Sequence, residues 1–179
     1  MPATESVALL IVRLVVGALF VGHGTQKLFG WFGGGGPEGT GAWMDGLGYR
    51  PGRRMAVLGG LAEAGGGALV GFGFLTALGA GLLIGMMVSA TLSVHVSKGV
   101  WNTNGGFELP LVNGAVAAAL ALAGPGSYSV DRAIGWQPWG AIVGVAAILL
   151  SVGVAVVVDG WRTNTLQEQR TADRRSAAA

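Results

Sequence analysis

The stretch MAVLGGLAEAGGGALVGFGFLTALGAGLLIGMMVSATLSVHV, from Met55 to Val96, decides the fold, because its only titratable residues are Glu63 and His95. A helix needs roughly 20 apolar residues to cross a bilayer, since each residue adds about 1.5 Å along a hydrocarbon layer of about 30 Å. The stretch is far longer than one crossing. It therefore predicts two membrane-spanning helices that fold back on each other, most simply at GFGFLT, residues 71–76.

The composition agrees with a membrane protein and excludes several other classes. Charged residues make up 11% of the chain and hydrophobic residues 51%, whereas ordinary soluble domains carry about 25% charged residues. The net charge of +2 is too small to indicate a nucleic-acid partner. The chain has no cysteine, which excludes disulfides, thiolate metal sites and redox dithiols within it. We also expect no metal centre. Electron transfer would require a bound cofactor, a quinone or a partner subunit.

Three further apolar runs complete the predicted spans. The first covers residues 6–28 and is read as retained, because MPATES lacks the basic residues that begin a signal peptide. The others cover residues 109–123, which is a little short, and 139–159. Between the first two spans, Trp43 and Leu47 are four residues apart, which is typical of a short interfacial helix. The sequence thus predicts an all-α, polytopic transmembrane bundle.

The predicted domain organisation follows from these spans. Residues 1–132 form a four-helix transmembrane domain, residues 133–160 an additional fifth span, and residues 161–179 a polar cytoplasmic tail that we expect to be frayed or disordered.

The distribution of basic residues predicts the orientation. Nine lie in the loops and tail on one side of the five predicted spans, against Arg132 alone on the other. The nine are Lys27, Arg50, Arg53, Arg54, Lys98, Arg162, Arg170, Arg174 and Arg175. Cytoplasmic loops are enriched in Lys and Arg. We therefore expect the N-terminus outside and the tail in the cytoplasm of a bacterial plasma membrane.

Two charged residues are predicted to meet inside the bundle. Arg13 and Glu63, counted from opposite ends of spans 1 and 2, both fall near the midplane at about 1.5 Å per residue. An ion pair would remove two isolated charges from the hydrocarbon. Gly67 and Gly71 continue the Glu63 face and would allow span 1 to approach. Such a pair would serve structure as readily as function.

A second polar group is predicted near the opposite end of spans 1 and 3, where six residues reach similar depth. They are His23, Lys27, His95, Lys98, Asn104 and Glu108. We predict that they line one vestibule, in which His23 and Glu108 exchange protons while Lys27, His95 and Asn104 bind the ligand. The alternative for the two lysines is snorkelling to the interface. Haem ligation by the two histidines is not expected, because axial ligands usually lie deeper.

Several motifs together resemble the DoxX family of small bacterial membrane proteins: R-x9-HGTQKLFG, GLAEAGGGAL and NGGFELPLVNGAVAAALALAGPGSYSVD. The resemblance covers about residues 7–132. The matching positions are Arg13, His23, Gly24, Lys27, Glu63, Asn104, Glu108 and Asp131. It implies a four-helix membrane bundle, from which the fifth span and charged tail depart. The related DoxD proteins are associated with thiosulfate:quinone oxidoreductase, and DoxX proteins with membrane oxidoreductase or redox-stress functions.

Two classes of function remain open. In the first, the chain is a non-autonomous subunit of a quinone-linked oxidoreductase, handling a quinone or a small sulfur oxyanion beside a protein partner. In the second, it is a non-catalytic assembly partner or a carrier for a small solute. The absence of cysteine, of a nucleotide-binding motif and of a covalent flavin or haem signature favours a subunit. Homo-oligomerisation stays open.

Overall fold

The computed structural model describes residues 2–136 and 140–177, and within these ranges every regular element is a helix. The α-helices are α1 (Ala3–Phe29), α2 (Gly36–Gly46), α3 (Gly52–Phe72), α4 (Thr76–Ala90), α5 (Glu108–Ala123), α6 (Val130–Ala133) and α7 (Ala141–Ala177). A π-helical turn, Thr91–His95, and a 3-10 turn, Val96–Lys98, extend α4, and further 3-10 turns lie at Trp31–Gly33 and Asn102–Asn104. The predicted all-α bundle is confirmed.

Four helical segments are long and apolar enough to cross a membrane: Ala3–Phe29, Gly52–Phe72, Thr76–Lys98 and Ala141–Ala177. Glu108–Ala123 is a shorter apolar helix. The chain is therefore a multi-pass membrane protein. The two crossings predicted within residues 55–96 are present, and the chain reverses between Phe72 and Thr76 as expected. Gly73 adopts a φ of 64° at this reversal, a left-handed conformation that glycine tolerates without strain.

Glycines on both helices bring α1 and α3 into close contact. A methyl group on Gly17 would lie 2.7 Å from the carbonyl oxygen of Gly67, and one on Gly24 would lie 2.6 Å from that of Gly60. No side chain fits at these distances, so the two backbones approach directly. In lipid, where no hydrophobic effect drives helices together, such close contact supplies much of the attraction through van der Waals packing.

The apolar core joins α1, α3, α4 and α5. It consists of Val16, Phe20, Val70, Ala80, Leu83, Ile84, Ala117, Leu120 and Ala121. Helix α7 packs against α4 and α5 outside this core: Gly85 lies beside Ser151, and a methyl group on Gly144 would lie 2.5 Å from the carbonyl oxygen of Ala121. Helix α7, the fifth of the apolar helices, is thus a packed member of the bundle.

Helix α7 continues well beyond its apolar part, because residues 161–177 are helical where we expected a frayed tail. Arg162 attaches this extension to the loop before α3. Its guanidinium pairs with Asp159, donates to the carbonyl oxygen of Leu47 at 3.1 Å and lies 5.7 Å from the centre of the Tyr49 ring. Once a helix has formed, its extension through residues of high helix propensity such as Gln, Glu, Arg and Ala costs little free energy.

The bundle has two ends, which we name by their connections. The turn end holds residues 73–75 and 124–136, and the loop end holds residues 30–51 and 99–107. A short helix between the first two spans is present as α2, which ends at Gly46 and lies at the loop end; its position at the membrane interface stays a prediction.

Candidate functional site

Arg13 and Glu63 do not meet, and the predicted ion pair between them is wrong. The reason is the register of the two antiparallel helices. Gly24 of α1 lies level with Gly60 and Ala64 of α3, so Glu63 faces the last turns of α1. Arg13 is about three helical turns away from that level, or about 16 Å at 1.5 Å per residue.

Arg13 instead binds the turn end. One guanidinium nitrogen donates to the carbonyl oxygen of Pro125 and the other donates to that of Tyr128 at 2.6 Å. The side chain is 1% exposed. Carbonyl groups that follow a helix have no partner within that helix, and the planar guanidinium can satisfy two of them at once. Arg13 therefore fixes the segment after α5 to α1.

Asp131, a position that the resemblance also matched, stabilises the same end. Its Oδ1 accepts a hydrogen bond from the backbone N–H of Leu75 at 3.0 Å, and its Oδ2 accepts from the N–H of Thr76 at 3.4 Å. Its own N–H donates to the carbonyl oxygen of Gly73 at 3.0 Å. A carboxylate at this position caps the N-terminus of α4. The turn end is thus a structural cluster.

Glu63 pairs with Lys27. The Lys27 ammonium contacts Oε1 of Glu63, and the two side chains are 20% and 5% exposed. Lys27 lies in the last turn of α1, and helical side chains lean toward the N-terminus of their helix, here toward the interior of the bundle. Oε2 of Glu63 is buried and has no hydrogen-bond partner among the residues that the structure describes.

The Lys27–Glu63 pair lines a cavity of about 340 Å³ between α2, α3, α4 and α7, which we call the loop-end cavity. Four further polar side chains belong to its lining: Tyr49, Ser89, Ser93 and His95. Much of the remaining wall is apolar and includes Trp43, Met44, Met55, Met86, Val154 and Val158. Within the described ranges, the hydroxyl of Tyr49 is buried and also lacks a partner. Buried polar groups are almost always bonded, so two unpaired ones at one cavity are unusual.

The predicted vestibule is divided, since only Lys27 and His95 of its six residues line the loop-end cavity. His95 also hydrogen-bonds through Nδ1 to the carbonyl oxygen of Gly105 at 2.7 Å. His23 is exposed and lies 3.1 Å from Oε1 of Gln26 through Nδ1. Helix α3 packs on Gly24, which is 100° round α1 from His23, so the histidine is turned outward.

The other three residues lie outside the cavity, within the loop before α5 or at its two ends. Oε2 of Glu108 accepts a hydrogen bond from the backbone N–H of Asn102 at 2.9 Å, which closes the loop. Asn104 and Lys98 are exposed. Asn104 and Glu108 thus do not line the cavity beside Lys27, and Glu108 folds back onto its own loop. Catalytic roles for His23 and Glu108 stay predictions.

Tyr49 was not among the predicted site residues. It lies in the segment between α2 and α3 and is 7% exposed. No periodic pattern marks such a position. Its rarity and position were the only features that could have pointed to it. It is one of only two tyrosines in the chain, and it lies just before the basic residues that begin the second span.

The fold and the cavity together define a class: a multi-pass helical membrane protein with a largely apolar internal site that contains a buried ion pair. The family model described as DoxX matches residues 8–96. Over that region the chain belongs to the DoxX family, and the resemblance is confirmed. The match includes Lys27, Glu63 and His95 but ends before Asn104 and Glu108. Comparison with curated proteins and with solved structures gives no significant match.

Proposed function

We propose that this protein is a non-autonomous subunit of a membrane redox system and that it binds a quinone in the loop-end cavity. One observation carries the proposal: the cavity combines a largely apolar wall with the Lys27–Glu63 pair and the unpaired hydroxyl of Tyr49. Ligand sites typically have volumes of about 300–1,000 Å³ and pair apolar walls with a few placed polar groups. The functions associated with DoxX proteins agree with this class of ligand.

The charge of the cavity favours a quinone over a sulfur oxyanion. Glu63 already compensates the positive charge of Lys27, so an anion would enter a site with no net positive charge and would lie close to a carboxylate. Burying an unpaired charge is unfavourable. A quinone is neutral, and its carbonyl oxygens accept hydrogen bonds from donors such as the ammonium of Lys27 and the hydroxyl of Tyr49.

The walls also suit a lipid-soluble ring. Three methionines, Met44, Met55 and Met86, line the cavity, and their flexible, polarisable side chains adapt to flat ligands. Trp43 and Leu58 belong to the lining and are more than half exposed. We place the entry between them, so that an isoprenoid tail extends into the bilayer while the ring reaches the ion pair.

The orientation forms part of this proposal. Arg50 belongs to the loop end, Arg53 and Arg54 lie in the adjoining first turn of α3, and Arg162 binds the loop end. By the excess of basic residues we place the loop end at the cytoplasmic face of a bacterial plasma membrane. The loop-end cavity then lies near that face, where a cytoplasmic redox partner would exchange electrons with a bound quinone.

Quenching of Trp43 fluorescence tests quinone binding. The purified protein in lipid nanodiscs is titrated with a short-chain benzoquinone, which quenches a tryptophan that it contacts. We expect saturable quenching that Trp43→Phe removes. Trp101→Phe is the matched control, because Trp101 is exposed on the loop before α5 and does not line the cavity.

A second variant tests the polar contact. Tyr49→Phe removes only the hydroxyl, which bonds to no described residue, so the fold should be retained. Loss of one neutral hydrogen bond should weaken quinone binding by about threefold to tenfold. Quenching that never saturates, or saturation that neither Trp43→Phe nor Tyr49→Phe alters, would refute the site and would favour a non-catalytic assembly partner or carrier.

A further inference from the structure

The two unpaired polar atoms of the loop-end cavity differ in their chemistry. Oε2 of Glu63 belongs to a carboxylate whose other oxygen is held by Lys27. An ionised carboxylate only accepts hydrogen bonds, whereas the hydroxyl of Tyr49 both donates and accepts. Glu63 and Tyr49 are 4% and 7% exposed. A buried, unpaired charged group is more unfavourable than a neutral one. A ligand must therefore form a hydrogen bond with Glu63 in particular.

Two other polar side chains of the lining already have a hydrogen-bond partner. Ser93 donates to the carbonyl oxygen of Ser89 at 2.6 Å, and His95 bonds to that of Gly105 at 2.7 Å. The cavity therefore offers a bound molecule one strong acceptor, Glu63 Oε2, beside the hydroxyl of Tyr49 and the remaining donors of the Lys27 ammonium. Such a site is complete only when the ligand itself donates a hydrogen bond.

We propose that the loop-end cavity selects the hydroxyl-bearing form of its ligand, a quinol, over the corresponding quinone. This inference rests on the proposed function and specifies the ligand of the same site. One ring hydroxyl donates to Oε2 of Glu63, and the hydroxyl of Tyr49 bonds to the same ring. A quinone presents only acceptor oxygens, so it leaves the buried carboxylate oxygen unpaired. The protein thus holds the reduced form of a pool lipid.

The test compares three ligands of nearly the same shape in the nanodisc protein under anaerobic conditions, and loss of the Trp43 quenching caused by a fixed amount of the quinone reports its displacement by the other two. The three ligands are a short-chain benzoquinone, its quinol and the dimethyl ether of that quinol, which has the ring but no donor. A hydrogen bond to a charged acceptor corresponds to about tenfold to a hundredfold in affinity. We expect the quinol to bind more tightly than both other ligands by that factor.

The double variant Lys27→Met, Glu63→Gln assigns the preference to Glu63. It removes both charges together and keeps side chains of similar size, and it should bind the quinone and the quinol with affinities within about threefold of each other. A preference that persists in this variant would overturn the assignment. If the variant does not assemble, the ether decides, because an ether that binds as tightly as the quinol refutes a donated hydrogen bond.

The outcomes separate this inference from the proposal on which it rests. Saturable binding of quinone and quinol with equal affinity would refute the selection of the reduced form while leaving the quinone site intact. Saturable binding of none of the three ligands would refute the quinone site itself. Tighter binding of the quinone than of the quinol would also refute the inference, since it would show that acceptor oxygens are preferred.

Discussion

Breaking the Lys27–Glu63 pair should strongly destabilise the bundle. The two groups are in direct contact and their side chains are 20% and 5% exposed. Two unit charges about 3 Å apart attract by about 5–6 kcal/mol at an effective dielectric constant of 20, and desolvation offsets part of this. Removing one partner leaves the other buried and uncompensated, which we expect to lower the free energy of unfolding by about 3 kcal/mol.

A double-mutant cycle isolates the pair. Lys27→Met and Glu63→Gln are measured singly and together by reversible unfolding in mixed micelles. Because the double variant leaves no stranded charge, its loss should be smaller than the sum of the single losses by about 2–3 kcal/mol.

A second cycle with Arg13→Met and Glu63→Gln is the control. Arg13 bonds to Pro125 and Tyr128 at the turn end, so its loss should add to that of Glu63 within about 0.5 kcal/mol. Additive losses in the Lys27 cycle, or a coupling as large in the Arg13 cycle, would refute the arrangement of charges described above.

Three further predictions concern packing, capping and orientation. Gly24→Leu should prevent close contact of α1 with α3 and lower the free energy of unfolding by about 3 kcal/mol or more. Gly22→Leu is the control and should change it very little, because a side chain at position 22 meets nothing within 4 Å. Equal losses for the two variants would contradict the packing. Asp131→Asn weakens the hydrogen bonds to the first N–H groups of α4 and should lower unfolding free energy by about 1–2 kcal/mol, and an unchanged unfolding midpoint would contradict the cap. A fluorescent protein fused to the C-terminus should be active and a periplasmic phosphatase fused there inactive; the reverse pattern would overturn the orientation.

The spans could be predicted from the sequence because they depend on composition and length alone. The reversal at residues 71–76 followed from the length of one uncharged run, and the glycine contacts between α1 and α3 followed from the small residues around Gly67. These features are local. They require no knowledge of how one helix is shifted along another.

The partners of the charged residues could not be predicted, because they depend on that shift. Counting depth from estimated span ends brought Arg13 level with Glu63, but contacts at Gly24 fix a register in which Glu63 is level with the end of α1. The cavity also required Tyr49, whose position depends on a connection without periodicity. The same limit applies to Glu108, which binds its own loop.

The π-helical turn Thr91–His95 affects which side chains at the end of α4 line the loop-end cavity. The N–H of Val96 bonds to the carbonyl oxygen of Thr91, five residues earlier, and this wider turn lets three consecutive residues, Ser93, Val94 and His95, line the cavity. In an α-helix three consecutive side chains spread over about 200°. Deleting Val94 would turn this bond into the four-residue bond of an α-helix, so neighbouring side chains would again be about 100° apart and fewer of them would face the cavity. The deletion should therefore weaken ligand binding more than Val94→Ala does in the same titration. This wall of the cavity thus depends on the number of residues in the turn as much as on their identity.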